Sequence, residues 1–199
     1  MKALLQFIIK TPDGLSNEYA RQHLFFKIGY PNAAGVHLFY TIIFSLNGAT
    51  WLAWYNILVS GLFAICALNW HRLSNPMWAF VPLWLIEIPF HAFLGTWATG
   101  VLTMFWVVPI ASAVPCLIMP SLSWRTRIIL ACLLTIYAGA LFSLGFFIEP
   151  AAPLPIAPAV ALFLCNFQIL GALIFYVGAA QRVVEIAETR QKEEFDRAE

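Results

Sequence analysis

The chain has 199 residues, of which 61% are apolar and only 11% charged, and its mean hydropathy is +0.79; a soluble domain carries about a quarter charged residues. This composition excludes a disordered chain, a collagen and an ordinary soluble enzyme. The 11 Lys+Arg against 10 Asp+Glu, net charge +1, exclude the overall basic signature of a nucleic-acid binder.

In chain order, the first apolar run, 3–9, is short and has no small-residue cleavage site after it, so no signal peptide is expected. After Asp13-Gly14, Ser16 offers a helix cap, and 15–28 reads as an amphipathic segment that lays Leu15, Tyr19 and Phe26 on the inner membrane surface. Six apolar runs follow, at 33–49, 51–70, 78–97, 101–119, 128–147 and 157–180. Each is long enough to approach the roughly 20 residues of a membrane helix. Tyr30-Pro31-Asn32, Ser74-Asn75-Pro76, Pro120-Ser121 and the proline-rich run 150–158 divide them. The expected fold is an all-α polytopic membrane protein with an interfacial N-terminal segment (1–32), a six-helix domain (33–180) and a cytoplasmic C-terminal helix (181–199).

Between Ala33 and Ala180 only Arg72, Glu87, Arg125, Arg127 and Glu149 are acidic or basic. All Lys and Arg fall before run one, between runs two and three, between runs four and five, or after run six. The positive-inside rule then places both termini in the cytoplasm. Trp51, Trp54, Trp70, Trp78, Trp97 and Trp124 stand near the predicted interfaces, as an aromatic belt would. Cys66, Cys116, Cys132 and Cys165 sit singly in apolar runs, without the spacing of a metal site or a disulfide framework.

Residues 181–199 contain no Gly or Pro and are rich in helix formers. Glu188 with Lys192, and Glu193 with Arg197, are i,i+4 pairs in the favourable order. Val184, Ala187, Gln191, Glu194 and Ala198 fit an a/d spacing, but the seam is poorly apolar. It reads either as a solvated extension of run six or as a rod feeding a dimeric output domain. The pattern stops uncapped at Glu199, so a longer protein is expected.

Run three carries the chemistry. Glu87 and His91, four apart, share one helix face near mid-membrane. A carboxyl there costs about 2.5–3.5 kcal/mol on insertion scales, which marks it as functional or partnered. Pro89 between them removes the donor for the Leu85 carbonyl and kinks the helix, with Pro82 one heptad earlier. The group reads as a binding pocket or as a structural pair locking helix packing. His37, one turn inside run one, binds a ligand or bonds a backbone carbonyl. His71 and His23 read as surface or headgroup contacts. Asn56 with Ser60, and Asn166 with Gln168, read as interhelical hydrogen-bonding groups. No Walker loop, GxSxG, HExxH or deaminase pattern occurs, so the chain alone is not expected to be an enzyme.

The stretch VHLFYTIIFSLNGATWLAWYNILVSGLFAICALNWHRLSN, followed by EIPFHAFLGTWATG, resembles the six-span N-terminal domain of bacterial membrane-anchored class III adenylate cyclases. The shared features are an early His in span one (His37), an Asn and Ser pair in span two (Asn56 and Ser60, one residue wider than the usual pattern), and Glu-x-x-x-His (Glu87, His91) followed by Gly95. The family's Gly-Trp-x-x-Gly-Phe pattern is reduced here to Gly95-Thr96-Trp97 and Gly100, and EEFDRAE resembles the start of the linker to the cyclase domain. A related six-span architecture serves quorum-sensing histidine kinases.

The resemblance implies a homodimeric sensor domain in the bacterial inner membrane, regulating its own cytoplasmic cyclase domain, which makes cyclic AMP from ATP. The ligand is then either a lipophilic molecule held by Glu87, His91, His37 and Asn56, or b-type haem. His37 and His91, with His71 or His23, would bind the haem iron. By the run boundaries His37 and His91 lie near opposite leaflets, so each is expected to anchor a separate site. A membrane cytochrome, or a small proton-coupled transporter using Glu87 and His91, is the rival reading.

Overall fold

The computed structural model describes residues 17–69, 72, 75–119 and 121–198. The described residues form helices joined by short turns, with no strand among them. We label the helices α1 (Asn17–Leu46), α2 (Thr50–Asn69), α3 (Met77–Thr99), α4 (Val108–Ile118), α5 (Trp124–Leu144) and α6 (Ile156–Ala198). Within α3, the seven residues Val81–Glu87 wind as a π-helix. Four helices are long and apolar enough to cross a membrane: Thr50–Asn69, Met77–Thr99, Trp124–Leu144 and the Ile156–Ala179 part of α6. Their outer faces are greasy, with Trp54 65%, Ile136 69% and Ile174 76% exposed. Water would penalise such a surface, whereas hydrocarbon would not.

No helix break falls at 32/33, where the first of the six apolar runs begins. Residues 1–16, including Ser16 and most of the expected amphipathic segment's start, lie outside the described residues. From Asn17 one helix runs to Leu46, with Pro31 inside it. Proline in a helix interior costs about 3 kcal/mol or more, because it removes a donor and crowds the preceding turn. Packing outweighs that cost. Phe25 meets the rings of Tyr30, Phe80, Trp84 and Tyr176 at 5.8, 6.2, 4.6 and 5.5 Å. Tyr30 stacks on Phe26 at 4.4 Å and touches Phe63 at 5.7 Å. At about 0.5–1.5 kcal/mol per aromatic pair, these contacts hold the turn before the proline, and His37 stacked on Phe63 at 5.4 Å holds the segment after it.

The expected fourth run, 101–119, is also interrupted. Gly100 closes α3 at φ 85°, in a region that L side chains rarely adopt, and Met104 is left-handed at φ 61°. Two 3₁₀ turns, Val101–Thr103 and Phe105–Val107, flank Met104 before α4 begins. Thr99 donates to the Gly95 carbonyl at 2.7 Å and lies 2.8 Å from the Thr103 hydroxyl, which donates to the Gly100 carbonyl at 2.9 Å. These side chains satisfy the helix-end carbonyls and make the turn self-contained.

Ser123, whose backbone is extended, caps α5: its hydroxyl accepts the Thr126 N–H at 3.2 Å. α6 is one unbroken helix of 43 residues, about 65 Å long at 1.5 Å per residue. That is roughly twice the 30 Å hydrocarbon thickness. Arg182 and Glu185 pair on its exposed surface at 2.8 Å, a contact worth under about 1 kcal/mol. The side chains of the expected Glu188–Lys192 and Glu193–Arg197 pairs lie outside the described ones. All four cysteines are free.

Candidate functional site

Glu87 and His91 lie on one face of α3, as their spacing requires, with His91 Nδ1 3.4 Å from Glu87 Oε1. The π-helical turn ends at Glu87, two residues before Pro89. Wide turns of this kind recur at functional sites because they re-aim side chains at the cost of regular hydrogen bonds. From α1, His37 points its Nε2 to within 3.8 Å of Glu87 Oε2. The two imidazole ring centres are only 4.5 Å apart, inclined at 62°. The ligand atoms of His37, Glu87 and His91 all lie within 4.8 Å of one another.

Placing His37 and His91 near opposite leaflets is therefore incorrect. The estimate assumed that the helix carrying His37 begins near residue 33. It begins 16 residues earlier, at Asn17, so His37 lies well inside α1. Axial imidazoles bind iron from opposite faces of a porphyrin, and rings 4.5 Å apart leave no gap for one. The adjoining cavity, of about 40 Å³, is lined by both histidines, Tyr40 and Trp84. His23 is 14 residues before His37 on the same helix, about 21 Å along its axis, so it cannot join this group. His71 lies outside the described residues.

The surroundings define each polar atom. Asn56 on α2 donates its Nδ2 to the Leu52 carbonyl at 2.8 Å, which leaves Oδ1 to accept from His37 Nδ1 at 2.9 Å. Nδ1 of His37 therefore carries the proton, and in the neutral ring the lone pair is on Nε2, facing Glu87. Tyr55, also on α2, donates its hydroxyl to Glu87 Oε1 at 3.0 Å. Glu87 Oε2 and His91 Nδ1 are buried and make no hydrogen bond. Aromatic walls exclude water: Phe63 stacks on His37 at 5.4 Å, and Phe105 stacks on His91 at 5.4 Å. The Glu87 side chain is 10% exposed, and those of His37 and His91 are 6% and 4% exposed.

Asn56, His37, Glu87 and His91 lie together in one cluster, and Ser60 clasps α1 by donating to the Ala34 carbonyl at 2.8 Å. Three members were not foreseen. Tyr55, Tyr40 and Phe105 are aromatic residues in apolar runs, and nothing in their local pattern separates a site wall from ordinary packing. Tyr40 sits 5.2 Å from the His91 ring and donates its hydroxyl to Asn166 Oδ1 on α6. Asn166 Nδ2 in turn donates to the Thr103 carbonyl at 2.6 Å, and Gln168 reaches Asn32 at 3.2 Å. Both amides join helices, in keeping with their placement in run six.

The fold and site define an all-helical, apolar protein with a buried imidazole–carboxylate–imidazole cluster, linked by one tyrosine to its longest helix. Compared with protein families, curated proteins and solved structures, the chain matches none of them.

Proposed function

We propose that this chain is the transmembrane sensor domain of a membrane-anchored adenylate cyclase, seated in the bacterial inner membrane as a homodimer. The input is a ligand at His37, Glu87 and His91, and the output is a movement of α6. The observation that carries this reading is the contact between the site and that helix. Tyr40 packs on His91 and bonds Asn166, so a change at the cluster acts on α6 through one side chain. Downstream of Asn166, α6 continues as one helix to Ala198. The cyclase as output rests on the resemblance of 36–75 and 87–100 to that family's membrane domain.

In this reading α1 and the interrupted segment 101–118 complete six crossings, with both termini cytoplasmic. Reporter fusions after Arg72, Trp124 and Glu199 are expected to read cytoplasmic, and fusions after Trp97 and Leu154 external. A cytoplasmic readout after Leu154 breaks the six-crossing arrangement, since an odd number of crossings must separate that point from the basic N-terminus.

The signalling mechanism has its own test. One residue inserted after Arg182 rotates everything downstream by about 100°. Seven inserted residues nearly restore the phase. In the full-length protein, cyclic AMP production is expected to change several-fold with one residue and to recover largely with seven. Equal output from both insertions makes α6 a passive tether and removes the sensor mechanism.

A further inference from the structure

We propose that His37, Glu87 and His91 form a buried site for a single divalent first-row transition-metal ion of the zinc type. The argument begins with an electrostatic mismatch. His37 Nδ1 is committed to Asn56 at 2.9 Å, so the Nε2 lone pair faces a carboxylate oxygen 3.8 Å away. His91 Nδ1 lies 3.4 Å from the other oxygen of the same carboxylate and makes no hydrogen bond. In a dry interior, electron-rich atoms that face each other require something positive between them. A proton on the carboxyl serves the His37 pair, and an Nδ1–H tautomer would let His91 donate only across a long 3.4 Å. One metal ion satisfies all three.

The dimensions agree. Metal–nitrogen and metal–oxygen bonds of about 2.0–2.1 Å put tetrahedral ligand atoms roughly 3.3–3.4 Å apart. His91 Nδ1 is 3.4 Å from Glu87 Oε1 and His37 Nε2 is 3.8 Å from Oε2, and with one ligand atom from each residue the trio spans at most 4.8 Å. Side-chain shifts of about an ångström close the difference. Two imidazoles with one carboxylate suit zinc or its neighbours, whereas calcium and magnesium take oxygen ligands. Three protein ligands leave an open fourth position, and the cavity of about 40 Å³ beside both histidines supplies room for water there.

The outer shell has the form that metal centres use. The histidine N–H that does not face the cluster donates to an amide oxygen, here Asn56, and the carboxylate is held by a hydroxyl, here Tyr55. Asn56 is itself fixed by the Leu52 carbonyl. The site is assembled from α1, α2 and α3, so ion binding would tie these helices together. The inference shares its residues with the sensor reading, but its test measures binding alone and needs no cyclase.

The test uses the purified chain in detergent, stripped with chelator and loaded with Co²⁺ or Zn²⁺. Wild type is expected to retain one ion per chain by elemental analysis and to show the visible ligand-field bands of tetrahedral Co²⁺. Glu87→Gln keeps an acceptor for Tyr55 and nearly the same volume, so it preserves the fold while losing the charge. It is expected to abolish both signals, with unchanged helical circular dichroism. Asn56→Ala is expected to weaken Zn²⁺ binding about 10- to 100-fold without abolishing it. A wild-type chain that retains no ion, or a Glu87→Gln chain that retains a full equivalent with unchanged bands, overturns the metal site. Absence of metal together with the phase dependence of α6 overturns this inference and leaves the sensor reading standing.

Discussion

Gly95→Ala is expected to lower stability by about 1–3 kcal/mol, the usual cost of forcing a methyl group into a packed interior. For a domain of this size that is a fall in Tm of about 2–12 °C. A Cβ at this position would lie 2.3, 2.5 and 2.6 Å from three ring carbons of Phe105. The ring cannot swing aside. Phe105 is fully buried, packed against Tyr40 at 5.0 Å, Phe44 at 6.3 Å and His91 at 5.4 Å. The added methyl therefore pushes the wall of the His91 pocket as well as the turn before α4. Gly139 is the control, since nothing lies within 4 Å of a Cβ there. Alanine at 139 is expected to stabilise α5 by about 0.5–1 kcal/mol through reduced chain entropy. The check is thermal unfolding in one detergent, with Gly95→Ala/Phe105→Leu added to the pair. The double variant should recover part of the loss, because the clash is a property of the two residues together. An unchanged Tm for Gly95→Ala refutes the close approach of α3 and the Phe105 turn.

Asn166→Leu is the second large effect. Asn166 is fully buried on α6 and is the meeting point of three segments. It accepts from Tyr40 on α1 and donates to the Thr103 carbonyl. Leucine fills similar space but strands a buried hydroxyl and a buried carbonyl. Each lost partner costs about 1–3 kcal/mol in a dry interior. Interhelical bonds in membranes average only about 0.6 kcal/mol, because the separated helices also find partners. The expected loss is therefore about 1–3 kcal/mol in total. Tyr40→Phe/Asn166→Leu should regain part of it, since the stranded hydroxyl is gone. Under the sensor proposal, Asn166→Leu in full-length protein is expected to blunt the response of cyclic AMP production to the site. A variant as stable as wild type would mean that the amide carries no weight in holding α6 to α1.

The helices α2, α3, α5 and the membrane part of α6 were legible within a few residues. Their signal is the length of an apolar run, which is local information. The face shared by Glu87 and His91 was equally legible, because helical periodicity alone places residues four apart together. The start of α1 was not. Pro31 is a genuine local breaker, and the packing of α1 on its neighbours, before it through Phe25 and Tyr30 and after it through Ala34 and His37, overrides it. That one misplaced boundary put His37 at the wrong depth and separated it from His91. Likewise, the break at Gly100 to Met104 depends on backbone angles held by Thr99 and Thr103 side chains. An apolar pattern does not encode them.

Composition and charge distribution alone establish a helical, apolar chain with one ionisable face in its third run, because transfer of side chains from water depends on residue type and helix phase depends on spacing. The convergence of His37 on Glu87 and His91, the support from Asn56 and Tyr55, and the link through Tyr40 to Asn166 arise only when α1, α2, α3 and α6 pack. Those contacts join residues 19 to 126 positions apart, and their geometry follows from which side chains fill the space between helices, a property of the assembled interior that no single segment carries.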